Sequence, residues 1–98
     1  IAFSDERVKE NIKTIDNSLE KVNKLRGVEF NKIGEDTKSI GVIAQEIEKI
    51  LPEVVRTDDE GMKSVAYGNV VGILIEAIKE LTKEVEDLKK RKNCNCNA

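Results

Sequence analysis

Val71, Leu74, Ile78, Leu81, Val85 and Leu88 recur at intervals of three and four residues. This is the a/d seam of a coiled coil sustained over nearly three heptads, and it requires a long helix with one apolar stripe. Glu84 and Lys89 then fall on a g position and the following e position, spaced for an interchain ion pair. Val70, Ile73, Ile75 and Ala77 widen the apolar face over the first turns; after Thr82 it narrows to a and d alone. The wide part predicts a helix buried on all sides, against a small sheet and partner chains. The narrow part predicts a free coiled-coil stalk. The rival reading, an amphipathic helix packed only on its own domain, does not account for the narrowing. In an isolated zipper Val, Ile and Val at a with Leu at d lean towards a dimer, which an attached globular part can override.

The 98 residues make one domain. A chain of this size buries only about 60–70% of its unfolded surface. Aromatic residues are 3% of the chain and charged residues 37%, so the core must be aliphatic and thin. A thin core under long charged faces fits an obligate oligomer better than a self-sufficient monomer. The net charge is −2 with acids and bases interleaved, which argues against a nucleic-acid footprint. The one basic run, Lys89 to Lys92, ends the long helix, where cations suit the macrodipole. No apolar stretch approaches the length of a membrane span. Cys94 and Cys96 lie in the polar run 93–98. One Cys-x-Cys pair is too few ligands for a structural zinc site within one chain. Shared thiols or disulfides across a trimer rank below a disordered tail with free thiols. No cofactor and no metal are expected.

The rest of the chain reads as a small α+β core. Ser4 or Asp5 opens a short helical segment, with acids in its first turn, and Ile12 and Ile15 follow as apolar anchors. A helix is expected over Ser18 to Arg26, with Asn17 and Glu20 in a capping-box-like pair and Gly27 at C′. Leu19, Val22 and Leu25 share one face. Val28, Phe30 and Ile33 alternate with polar residues as a strand, Gly34 to Thr37 turn, and Ser39 to Ile43 form a second strand, so the two make a hairpin. Ala44 to Leu51 reads as a helix ended by Pro52. Val54 and Val55 are extended, Asp58 to Gly61 turn, and Met62 to Tyr67 form a strand. Gly68 and Asn69 open the long helix.

Ser4 and Lys9 place a hydroxyl and an amine five positions apart, the minimum set for a nucleophile and its base. The chain has no histidine, which excludes the Ser-His and Cys-His triads. There is no Gly-rich phosphate loop and no metal cluster, so an ordinary metabolic enzyme is not indicated. Taken alone, the pair is equally well a helix cap and a solvated lysine.

Four segments, in order, carry a family resemblance. They are Ser4-Asp5-x-Arg7-x-Lys9-x-x-Ile12; Leu25-x-Gly27-Val28-x-Phe30; Gly41-Val42-Ile43-Ala44-Gln45-Glu46 with Leu51-Pro52-Glu53-Val54-Val55; and Val65-x-Tyr67 before a long helix. Together they resemble the peptidase S74 family, the C-terminal intramolecular chaperone domain of phage endosialidases, tail spikes and neck appendages. The resemblance implies a homotrimer with Val71, Leu74, Ile78, Leu81, Val85 and Leu88 at the interface. It implies a helper that holds three upstream fibre chains in register and then cuts itself off through a Ser-Lys dyad, here Ser4 and Lys9. Gln45 and Glu46 carry over as support of the site or interface, with Asp5 and Arg7 beside the dyad. The expected divisions are 1–3, a remnant of the fibre; 4–69, the chaperone core; 70–92, the coiled-coil helix; and 93–98, the tail. The expected partners are two further copies and the chain's own fibre segment, with no nucleic acid and no membrane. The expected location is the host cytoplasm during virion assembly.

Geometry constrains that chemistry. Five residues along a continuous α-helix turn about 500°, leaving Ser4 and Lys9 about 140° apart. A direct contact needs Ser4 outside the helix with Lys9 curling back, or a lysine from another chain. As a base, Lys9 must be neutral, which calls for burial or a nearby cation. Arg7 is the candidate cation, with Asp5, Glu6 and Glu10 opposing it. The site is expected to be completed only when the upstream fibre folds. Ser4 Oγ reaches the Phe3 carbonyl through a five-membered ring, which favours Phe3–Ser4 as the scissile bond; Ser4–Asp5 stays open. The competing functions are a non-catalytic trimerisation module and an adaptor whose helix zips to another protein.

Overall fold

In a computed structural model, which describes the backbone of residues 1–96 and the side chains of residues 1–93, the long helix α3 (Tyr67–Cys96) is the organising element. Around its first half lie α1 (Ser18–Val22), the hairpin β1 (Val28–Asn31) and β2 (Lys38–Gly41), α2 (Ala44–Ile50), and a second hairpin, β3 (Val55–Thr57) and β4 (Lys63–Val65). Each hairpin is its own two-stranded antiparallel sheet, in the registers Val28↔Gly41 and Val55↔Val65. The fold is thus α+β as expected, with two small sheets in place of one.

The core is aliphatic and thin. Ile47, Leu51, Val54 and Ile73 form it, with Val22, Leu25, Ile50 and Val70 among the half-buried residues around them. Ile47 comes from α2 and Leu51 from the residue that caps it, its N–H bonded to the Ile47 carbonyl. Pro52 does more than end that helix. It opens a 3-10 turn, Pro52–Val54, since a proline at the first helical position gives up only an N–H that would be unpaired. Val54 therefore enters the core from a turn rather than from an extended strand.

Several boundaries differ from the sequence reading, each for a local reason. The first helix stops at Val22 with Asn23 as its cap, and Gly27 leads directly into β1 without a left-handed conformation. Asn17 is itself left-handed, at φ 53°, and its side chain caps nothing. The Ser18 N–H instead donates to Glu80 Oε2 on α3 at 2.8 Å, so a carboxylate 62 residues away does the work expected of a capping box. The Ser18 hydroxyl beside it is buried without a hydrogen-bond partner. Strand β1 ends before Ile33, which is fully exposed, and Ile12 is exposed rather than anchored. Ile15 is also exposed, although its Cδ1 touches α3, 3.6 Å from where a side chain on Gly72 would begin. The strand expected to reach Tyr67 ends at Val65, and Tyr67 starts α3.

Gly41 is required by packing. A Cβ there would stand 2.8 Å from Tyr67 Oη and 3.4 Å from Phe30 Cε1. The missing side chain admits the Tyr67 ring, whose hydroxyl accepts from the Val42 N–H at 3.4 Å. This contact ties the first hairpin to the start of α3.

Helix α3 uses two faces. Val70, Ile73, Ala77 and Glu80 turn towards the domain, mainly against α1 and the Pro52–Val54 turn. The a/d residues Val71, Leu74, Ile78, Leu81, Val85 and Leu88 are all exposed. Within one chain the first half of the helix is therefore covered on one side only. Among the described residues, five apolar side chains are buried and seventeen large ones are exposed, so one chain does not cover its own apolar surface. The radius of gyration is 18.5 Å, against about 13 Å for a compact chain of this length. The side chains of Cys94 and Cys96, and with them the thiol readings, lie outside the described residues.

Candidate functional site

The N-terminal arm carries the candidate site. A single 3-10 turn, Glu6–Val8, is closed by Val8 N–H to Asp5 O at 3.2 Å and Lys9 N–H to Glu6 O at 3.1 Å. Asp5 before the turn and Lys9 after it are both extended, at ψ 136° and 144°. The arm is therefore not a continuous helix, and the angular objection to a Ser4–Lys9 contact does not apply. Lys9 Nζ donates to Ser4 Oγ at 2.7 Å. The two residues meet within one chain, with Ser4 outside the helical turn, as the sequence argument required of a direct contact.

Asp5 and Arg7 flank the pair and hold each other. Asp5 Oδ1 accepts the Arg7 backbone N–H at 2.8 Å and Arg7 Nε at 3.1 Å, and Asp5 Oδ2 accepts Arg7 Nη2 at 2.9 Å. The guanidinium holds the Asp5 carboxyl below its ordinary value, through its side-chain bond first and the backbone bond second. Asp5 in turn raises Arg7 further above its already high value. Arg7 thus faces a carboxylate rather than acting as an uncompensated cation beside Lys9. Among the described residues no carboxylate lies within ion-pair distance of Lys9.

Within one chain, Gln45 and Glu46 do not join the pair. Glu46 forms a two-point pair with Arg26, at 3.1 Å to Nε and 2.6 Å to Nη2, which lowers the Glu46 carboxyl. That pair joins α2 to the segment entering β1. Gln45 is exposed on α2. Neither hydrogen-bonds to the Ser4–Lys9 pair. Ser4, Lys9 and Phe3 are all exposed, and Phe3 is fully so.

The sequence reading missed two polar residues in the body of the domain. Glu80 holds the segment that follows the arm, through Ser18. Its signal was an acid on the same helical face as Ile73 and Ala77, where an apolar residue would be expected. Lys63 was also missed. Its amine donates to Thr57 Oγ1 at 2.7 Å and to Glu48 at 3.1 Å, a second amine–hydroxyl pair in the body of the domain. Among the described residues no group of three or more His, Cys, Asp or Glu is placed to hold a metal ion, and no helix is long and apolar enough to cross a membrane.

Comparison with known proteins gives the family. The profile described as chaperone of endosialidase, peptidase S74, matches residues 4–56, more than half of the chain and inclusive of Ser4 and Lys9. The chain is 38% identical over 97 residues to the long tail fiber protein Gp37 of Enterobacteria phage K3, covering 90% of this chain and 8% of that protein. It is 33% identical over 99 residues to Gp37 of Salmonella phage S16, covering 90% of this chain and 13% of that protein. It is 34% identical over 96 residues to Gp37 of Enterobacteria phage M1, covering 88% and 38% respectively. The chain therefore spans well under two thirds of these relatives' own length. With the family profile spanning the arm, the first hairpin and α2, the chain belongs to the chaperone-of-endosialidase family.

Proposed function

We propose that this domain is an intramolecular chaperone that joins three copies of a phage tail fibre chain, sets their register, and then releases itself by cutting its own backbone. The observation that carries the cleavage reading is the 2.7 Å contact between Lys9 Nζ and Ser4 Oγ, in an arm that the family profile covers. The exposed a/d seam of α3 supports the association reading, because six large apolar residues in one stripe need a partner. Glu84 and Lys89 suit parallel chains.

Physical reasons favour such a helper. Fibre strands that pair mainly between chains carry a high closure and register cost. A pre-formed trimer raises the effective concentration of the strands and aligns them. Cutting the helper away afterwards leaves the fibre kinetically trapped, since its route to refolding is gone. The helper then acts in the host cytoplasm during virion assembly and is absent from the finished fibre.

In the cut, neutral Lys9 Nζ takes the Ser4 hydroxyl proton as Oγ attacks the Phe3 carbonyl carbon. The carbonyl–nitrogen bond breaks, the proton passes to the departing Ser4 nitrogen, and a Phe3–Ser4 ester remains. Water then hydrolyses the ester, leaving a Phe3 carboxylate and a free Ser4 hydroxyl and amine. The domain joined to its upstream fibre segment is the material to test. Mass spectrometry should find a fragment beginning at Ser4; one beginning at Asp5 would refute the bond assignment. Ser4→Ala and Lys9→Met should stay trimeric and uncut, and cleavage at an unchanged rate in either would remove the dyad.

A second reading, a trimerisation module without cleavage, draws support from the exposure of Phe3, Ser4 and Lys9. It predicts an intact wild-type chain under all conditions. An adaptor that binds a different protein through α3 predicts a monomer in sedimentation equilibrium, where the chaperone reading predicts a trimer.

A further inference from the structure

We propose that Asp5 is the positioning residue of the Ser4–Lys9 pair, and that Arg7 serves as its clamp rather than as a cation acting on Lys9. This rests on the self-cleavage reading for its function, although not for its geometry. Ser4 and Lys9 meet because the chain between them makes one 3-10 turn bounded by extended residues. Such a turn has little stability of its own. It has two backbone bonds, at 3.2 and 3.1 Å, and buries no residue, whereas a first turn must offset the ordering of several residues. The rest of the domain supplies no core to hold it.

Asp5 supplies what is missing. Its Oδ1 accepts the Arg7 N–H at 2.8 Å, satisfying a donor that the turn leaves unpaired. The same carboxylate grips the guanidinium at 3.1 and 2.9 Å, a two-point geometry that fixes direction as well as distance. Backbone and side chain of Arg7 are thus held by one group, and the chain leaves the turn at Lys9. The population of the turn sets the fraction of chains in which amine and hydroxyl are in contact, and the cleavage rate scales with that fraction. The Arg7 charge is already engaged by Asp5.

The two roles give opposite signs for one substitution. Asp5→Ala frees the Arg7 charge. If that charge activated Lys9, cleavage would speed up; if Asp5 positions the pair, cleavage slows, by about five- to tenfold for the loss of a cap. Asp5→Asn keeps an oxygen for the Arg7 N–H and should recover most of that loss. Both variants should unfold at the wild-type temperature, because the arm is exposed. The experiment measures single-turnover cleavage of the full chain with its fibre segment, together with hydrogen exchange of the Arg7 amide on the Ser4→Ala background. Protection of that amide should be lost in Asp5→Ala and kept in Asp5→Asn. A faster or unchanged Asp5→Ala, or an Arg7 amide that exchanges at the unstructured rate with Asp5 present, overturns the proposal. A wild-type chain that never cuts but protects the Arg7 amide in this Asp5-dependent way overturns the cleavage reading and leaves the clamp standing.

Discussion

Among the described residues, two amine–hydroxyl pairs share one length and differ in their surroundings. Lys9 reaches Ser4 at 2.7 Å in the arm, and Lys63 reaches Thr57 at 2.7 Å across the second hairpin. Thr57 and Lys63 are register partners in β3 and β4, and the Lys63 amine also meets both oxygens of Glu48 on α2 at 3.1 Å. That ion pair braces α2 against the second hairpin. Lys9 has no such partner among the described residues. A short amine–hydroxyl distance is therefore not by itself a mark of chemistry. What separates the two is the ion pair: Glu48 braces Lys63, and no carboxylate among the described residues lies within ion-pair distance of Lys9.

The sharpest way to break this comparison is to remove each amine in turn. Lys9→Met should slow release of the domain by about a hundred- to ten-thousandfold, the range for loss of a general base. Lys63→Met should leave the rate within a few-fold of wild type, and equal loss in both would erase the distinction. The next effect concerns the tether between arm and body. Glu80→Ala leaves the Ser18 N–H without its acceptor, which costs about 1–3 kcal/mol for a buried donor. Glu80→Gln, which keeps an acceptor, should retain most of that stability in thermal unfolding.

A smaller effect tests the brace itself. Lys63→Met removes a half-exposed ion pair, for which solvent screening leaves about 0.5–1 kcal/mol. That lowers the midpoint by roughly 4–8 °C per kcal/mol in a domain of this size, whereas Lys9→Met should not move it. The smallest effect is electrostatic. Arg7 and Arg26 lower the carboxyls of Asp5 and Glu46 in the folded chain. A lowered folded value means that each pair contributes fully above the unfolded value, near pH 4, and that the contribution fades as pH falls through the lowered one. In carboxyl NMR titrations Asp5 should titrate higher in Arg7→Ala than in wild type, and Glu46 higher in Arg26→Ala. No movement of Asp5 would remove the clamp.

The regular elements were legible where a period was long enough to read. The seam of α3, the face of α2 and the first hairpin all follow from spacing and turn residues. Short elements were less so. The helix from Ser18 was expected to run to Arg26 because Leu19, Val22 and Leu25 keep helical spacing. Its last turn is given up because Leu25 reaches the core from a turn. Its start was assigned to Asn17 because a cap is looked for locally, whereas the acceptor comes from Glu80. At the candidate site, the types and spacing of Ser4 and Lys9 were readable. Their contact depends on extended residues at both ends of one 3-10 turn, and only the backbone angles give that.

By itself the sequence determined the periodic features and the residue types: an apolar seam that needs a long helix, a core with almost no aromatic residues, and a hydroxyl and an amine five residues apart. These depend on spacing along the chain, which folding cannot alter. The tertiary structure alone decided which face of α3 meets its own domain and which stays exposed, that Glu80 rather than Asn17 caps the first helix, and that Glu48 braces Lys63 while no carboxylate among the described residues reaches Lys9. Those depend on groups far apart in sequence, and a one-dimensional pattern carries no information about which distant carboxylate arrives beside which amine.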